Sequence, residues 1–189
     1  MNKTPYLTED LKRLRRGAAV VLPKDFGTVV AYTGIGKESV AAEAGTGTGF
    51  MAVQLSRICS KVYSYENRED HYKIAKSNLD KLHITNVELR LGSIDGLDVY
   101  DLDLVFLDFK GSDQYVSKMH LHIKDGGFLV GYCPNIEQAK VFHIAAVKAG
   151  YKDVFTVTSN VTDYEIREFG CRPVNLGLLH TAYLVFARK

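Results

Sequence analysis

Cysteine is scarce in this chain. The three present, Cys59, Cys133 and Cys171, lie far apart, and no pair has the spacing of a zinc knuckle or a redox dithiol. That leaves buried or incidental thiols in a reducing compartment. The histidines form no metal spacing with cysteines or acids, so no metal is expected. Long apolar runs are missing too. None approaches the ~20 residues that span a bilayer, and the polar, basic start from Met1 to Arg16 has no apolar signal core. A cytoplasmic location without membrane contact is the expectation. Nor is there an excess of charge: the formal net charge is +2, so the chain as a whole does not attract nucleic acid. Any RNA affinity has to come from a local patch. Lys12, Arg13, Arg15 and Arg16 form one, although a solvated face is the ordinary explanation of such a run.

What is present suits one domain. The length is 189 residues, with 46% apolar and 24% charged, enough for a real core. Residues 7–16 read as an exposed arm or short helix. Val20-Val21-Leu22 is an apolar run stopped by Pro23, and Asp25 is placed to cap a helix through Phe26, Val29 and Val30 that stops near Gly34 and Gly36. Residues 1–38 are thus expected to form an arm and helix packed on a domain of residues 39–189. Within that domain strands and helices alternate. Strands are expected at Ser39–Ala44, Lys61–Tyr65, Val87–Leu91, Leu102–Leu107, Gly127–Tyr132, Phe155–Ser159 and Thr181–Ala187. Helices are expected at Phe50–Ile58, Asp70–Leu82, Val116–Ile123 and Ile136–Lys148. This pattern predicts an α/β fold: a doubly wound, mostly parallel, seven-stranded sheet. No helical pattern separates the last two strands, so the ending is expected to be hairpin-like and antiparallel.

The stretch Glu43-Ala44-Gly45-Thr46-Gly47-Thr48-Gly49 joins the first strand to a helix. Glycines there bring bare backbone amides close to a ligand. The next strand ends in Glu66, placed to take the two hydroxyls of a ribose, and Asn67 follows in the polar turn. A dinucleotide fits poorly, because the third small position of Gly-x-Gly-x-x-Gly is Phe50. A P-loop fits no better: no Gly-Lys-Ser/Thr follows, and no lysine or arginine lies between residues 38 and 56 to meet a pyrophosphate. Glu43 would repel a phosphate but suits a cationic amine. S-adenosylmethionine has such an amine, a sulfonium and a ribose, and no phosphate. Its adenine is expected beside Gly92-Ser93-Ile94-Asp95, read by Ser93, Asp95 or a backbone amide.

Asp108 ends the most apolar strand. Ligands of open parallel sheets bind at the carboxyl ends of strands, so Asp108 points near the sulfonium, though a turn-capping role is open as well. Methyl transfer rests mainly on alignment, since the donor is already activated. A carboxylate can hold an exocyclic amine and stabilise positive charge that builds on a ring nitrogen.

Five segments, Arg15-Arg16-Gly17, Leu22-Pro23-Lys24-Asp25, Glu43 to Gly49, Tyr63 to His71 and His180 to Lys189, resemble the tRNA adenine-N1 methyltransferases that modify the T-loop. The resemblance covers nearly the whole chain. It implies a Rossmann-like class I methyltransferase, with S-adenosylmethionine held by Thr46, Gly47, Thr48 and Gly49, by Glu66 and His71, by Ser93 and Ile94, and by Asp108 as catalytic carboxylate. It also implies tRNA as partner and a homo-oligomer, a dimer or tetramer. Against the family pattern, an N-terminal β module is lacking, Leu22 replaces a tyrosine, and Ser93 replaces a common aspartate. Phe109-Lys110-Gly111-Ser112 stands where a proline-rich, tryptophan-containing run is usual. Two alternatives stay open on these residues: a methyltransferase with another acceptor, small molecule or protein, and a noncatalytic tRNA-binding subunit of the same fold.

Overall fold

The computed structural model describes residues 7–17, 19–174 and 180–189. Its strands are β1 (Val40–Ala44), β2 (Lys61–Glu66), β3 (Val87–Leu91), β4 (Leu102–Leu107), β5 (Ile123–Cys133), β6 (Lys152–Thr158), β7 (Tyr164–Arg167), β8 (Gly170–Pro173) and β9 (Tyr183–Arg188). The α-helices are α1 (Glu9–Arg13), α2 (Pro23–Thr33), α3 (Phe50–Ser56), α4 (Glu69–Lys81), α5 (Val116–His122) and α6 (Ile136–Lys148). Seven strands form one sheet in the order β3-β2-β1-β4-β5-β9-β6. Strands β1 to β5 run parallel, and β9 is antiparallel to both neighbours, β5 and β6. The expected doubly wound sheet is therefore present, with its antiparallel strand inserted between β5 and β6.

Alternate residues of the central strands serve the two faces. Leu104, Phe106, Val130, Leu184 and Phe186 pack with Val29 of α2 and with Met51 and Leu55 of α3. Val105, Leu107, Leu129, Val185 and Ala187 pack with Val116 and Met119 of α5 and with Phe142 and Ala146 of α6. A strand covered on both faces has to be apolar at every position, which is why β4 reads as a near-continuous run.

Several expectations need correction. Of the two readings of residues 7–16 the short helix holds and the exposed arm does not: Leu11 of α1, with Leu7 and Leu14 on either side of it, is buried with Phe50, Val53 and Leu79. Asp25 does not cap α2. Leu22 is the N-cap and Pro23 opens the helix, a position where its missing N–H costs nothing. Ile123 opens β5 rather than closing α5, pairing with Leu102 ahead of a bulge. Between β6 and β9 lies the separate two-stranded β7–β8 sheet, not a plain connection. Residues 175–179 of the glycine-containing stretch, like residues 1–6, fall outside the described residues.

Candidate active site

The chain reverses its winding direction between β1 and β4, which are neighbours in space though not in sequence. Crevices form at such switch points, beyond the carboxyl ends of the strands. Here β1 runs into Gly45 and β4 into Asp108. The Asp108 amide donates to the Ala44 carbonyl at 2.9 Å. The two tips are so close that a Cβ on Gly45 would lie 2.0 Å from the Asp108 carbonyl oxygen. Glycine is required there for space, and also for conformation, since its φ is +85°.

Gly47 and Gly49 also take positive φ, +56° and +86°, so the turn coils tightly before α3. Amides of Gly45 and Thr46 both donate to the Tyr65 carbonyl, at 3.0 and 3.3 Å. The Gly47 amide donates to one oxygen of Glu66 at 2.7 Å, and the Arg68 amide to the other at 2.9 Å. Glu66 is thus fixed beside the turn by backbone groups. Each of its oxygens keeps a further lone pair, enough to accept from a vicinal diol.

A cleft opens at this point. One wall is the extended strap Ala19, Val20 and Val21; the others are Gly45–Thr48, Phe50, Met51, Phe106 and Asp108. Among the described residues, no lysine or arginine lines it. The Thr48 hydroxyl in its wall is buried and has no hydrogen-bond partner among the described residues, an unsatisfied group of the kind a ligand relieves. Asp108 is half-buried, and its carboxyl is pushed up to about 7 by burial and, secondarily, by the charge of Glu66.

Glu43 does not line the cleft. Its carboxylate is buried and accepts from the Ser64 hydroxyl at 2.7 Å, which lies 2.6 Å from the Thr46 hydroxyl. Burial raises Glu43 to about 7, against the lowering effect of Ser64. Glu43 therefore braces the turn from behind. Asn67, His71, Ser93 and Ile94 also lie outside the cleft walls. Ser93 and Ile94 follow Gly92, whose amide donates to the Glu66 carbonyl at 2.8 Å, so their loop adjoins the acid. Ser93 accepts from the Asp95 amide and caps a short 3-10 turn, while Asp95 is engaged by Lys118. Ile94 is buried in the core, Asn67 is exposed, and His71 is half-buried at the start of α4.

Two polar clusters whose partners sequence reasoning missed support this region, one at the cleft wall and one tying α2 to β5 and to residues next to β6 and β9. Asn78 of α4 is buried, accepts from the Arg15 amide, and donates to the carbonyls of Arg15 and Thr48 at 2.9 and 2.8 Å. It links the strap to the glycine turn. Its signal was available: a polar residue among Ala75, Leu79 and Leu82 on the apolar stripe of a helix. The second group is the pair Lys24–Asp25. The Lys24 ammonium donates to Asp25, to the Ser159 carbonyl and to the Thr181 hydroxyl, all within 2.7 Å, and Thr181 donates to the fully buried Asp25 at 2.8 Å. The Tyr132 hydroxyl lies 3.4 Å from the same carboxylate and is held well above the usual tyrosine range, by burial first and then by Asp25.

Sheet order, glycine turn and strand-tip acids define the Rossmann-like fold of the S-adenosylmethionine-dependent methyltransferases. Within that class, residues 2–178 match the family described as the tRNA methyltransferase complex GCD14 subunit, and the chain belongs to that family. It is 29% identical to the tRNA (adenine(57)-N(1)/adenine(58)-N(1))-methyltransferase TrmI of Methanocaldococcus jannaschii, over 97% of this chain and 76% of that one. Among solved structures it superposes on tRNA (m1A58) methyltransferase TrmI from Aquifex aeolicus with a TM-score of 0.87 at 26% identity, covering 95% of this chain and 74% of that one. A SAM-dependent O-methyltransferase from Thermotoga maritima gives 0.86 at 29% identity, covering 92% and 67%. No helix among the described residues is long and apolar enough to cross a membrane.

Proposed function

We propose that this chain methylates N1 of an adenine in tRNA with S-adenosylmethionine as donor. The observation that carries the reading is the contact of the Gly45 turn with Asp108 across the β1–β4 switch point, in a chain of this family. The residues fit the donor. Among the described residues the cleft has no basic residue to select a phosphate and the Thr48 hydroxyl lacks a partner, and Glu66 is oriented for a diol. When bound, S-adenosylmethionine supplies a methyl group already activated by its sulfonium.

The protein's share is placement and charge. Glu66, fixed by the amides of Gly47 and Arg68, would hold the ribose hydroxyls. The Asp108 carboxyl, at the end of β4, accepts a hydrogen bond from the adenine exocyclic amine. Its negative charge stabilises the positive charge that builds on the ring as N1 forms its new bond. With a carboxyl near 7, that charge is fully present only above neutrality. The apolar Val20, Val21 and Phe106 form part of the cleft wall, and low-dielectric walls strengthen the electrostatics beside Asp108. Self-association belongs to the same proposal, supported by the exposed Ile166 and Phe169 of the β7–β8 hairpin; sedimentation as a monomer would remove it.

The test is transfer of labelled methyl to unmodified tRNA, with the product nucleoside identified. Label is expected on adenine N1, and Asp108→Asn should lose about 100-fold or more of kcat while still binding donor. Equal labelling by Asp108→Ala would overturn the role of Asp108. The replaced segment Phe109–Ser112 beside Asp108 favours, as second reading, an acceptor other than tRNA; label incorporated from a metabolite extract and not into RNA would establish it.

A further inference from the structure

The strap that walls the cleft begins as a basic seam along α4. Residues 13–17 run antiparallel to that helix. The Lys81 ammonium donates to the Arg13 carbonyl at 2.8 Å, Asn78 brackets Arg15, and Gly17 faces Ile74 and Thr48. The next guanidinium, Arg16, lies over the Phe50 ring at 5.4 Å, and Phe50 lines the cleft. Four cations, Arg13, Arg15, Arg16 and Lys81, thus follow one line from the far end of α4 to the mouth of the cleft.

Several neighbouring cations are paired with acids and these four are not, and the exposed Lys76 of α4 is in no ion pair among the described residues either. Lys12 pairs with Glu9, Arg57 with Asp10, Arg68 with Asp70 and Lys73 with Glu69. Among the described residues, Arg13, Arg15, Arg16 and Lys81 pair with no carboxylate, and all four are exposed. Four uncompensated charges on a chain whose net charge is only +2 concentrate the positive field at one place. The strap itself is pinned by a buried asparagine, so these side chains start from a fixed backbone and a polyanion has less to order on binding. A solvated face does not require that fixing, nor a line that ends at the cleft.

We infer that this seam binds the phosphate backbone of the RNA whose adenine enters the cleft. The inference rests on the tRNA reading above and adds where the nucleic acid lies. Phosphate contacts of this kind position the substrate and carry no sequence information.

The experiment compares tRNA binding across a salt series for the wild type and for the triple variant Arg13→Gln, Arg15→Gln, Lys81→Gln. A second triple variant, Lys37→Gln, Lys148→Gln, Lys152→Gln, loses the same charge near the starts of β1 and β6, off the α4 seam. Each phosphate contact contributes about 0.7–0.9 to the slope of log affinity against log salt. The seam variant should therefore flatten the slope by about 2 and raise KM for tRNA about tenfold or more, with kcat unchanged. Donor affinity, read by calorimetry, should stay at the wild-type value. Equal slopes in the two triple variants, with wild type still methylating tRNA, overturn the seam and leave the function standing. Loss of donor affinity in the seam variant also overturns it, because the strap would then act on the cleft. A wild type that neither binds nor methylates tRNA overturns both.

Discussion

Replacing Gly45 by alanine tests the joint on which the site is built. The new Cβ would lie 2.0 Å from the Asp108 carbonyl oxygen and 2.7 Å from its carbon, both backbone atoms that no rotamer change can move. Two costs add. Alanine at a φ of +85° loses about 1–2 kcal/mol, and overpacking against fixed backbone typically costs about 1–3 kcal/mol. The sum, about 2–5 kcal/mol, lowers the melting temperature of a domain this size by about 4–20 °C. Gly34 provides the control: its φ is +68° but a Cβ there meets nothing within 4 Å, so only the conformational cost of about 1–2 kcal/mol applies. Thermal unfolding of Gly45→Ala and Gly34→Ala, with donor titration by calorimetry, separates the effects. Gly45→Ala should melt lower than Gly34→Ala and bind donor at least about tenfold more weakly, as a loss of about 1.4 kcal/mol or more at the strand tip implies. Equal melting points and undiminished donor binding would refute the contact as a structural necessity.

Other perturbations follow from the same geometry. Glu43 binds its proton more tightly folded, near 7, than unfolded, near 4.5, so stability falls as pH rises between those values, by at most about 3 kcal/mol. Asp108 acts in the same direction; Glu43→Gln should flatten the decline in urea unfolding between pH 5 and 8, and a profile identical to wild type would exclude this role. Asp25→Ala leaves the Lys24 ammonium without its carboxylate and should cost about 3–5 kcal/mol; a loss under about 1 kcal/mol in denaturant unfolding would show the network is dispensable. Asn78→Ala strands the buried Thr48 carbonyl at about 1–3 kcal/mol and frees the strap, so trypsin should cut faster after Arg15 and Arg16; an unchanged rate would deny the clamp.

The layered sheet was legible because its signals are local. Leu102–Leu107 is apolar throughout since both faces are covered, and Gly45, Gly47 and Gly49 announce a turn that only glycine can make. Adjacency was not local. That Gly45 touches Asp108 depends on β4 crossing to the far side of β1, which no window of sequence contains. The β7–β8 hairpin escaped notice because its four-residue strands, exposed on both sides, have no alternation to read. Asp25 looked like a cap because caps favour aspartate; its partners Thr181 and Lys24 come together only in the fold. The apolar Val20 and Val21 carried no mark of a cleft wall, since a valine facing a ligand and one facing the core have the same composition.

The cofactor turn and the acid at the end of β4 share a backbone contact, so displacing one displaces the other. Whatever adapts this scaffold to a new acceptor has to be built around that contact, in the segment after Asp108 or along the strap. Changes after Asp108 leave the glycine turn and Glu66 untouched, whereas changes along the strap alter a wall that the methyl donor shares.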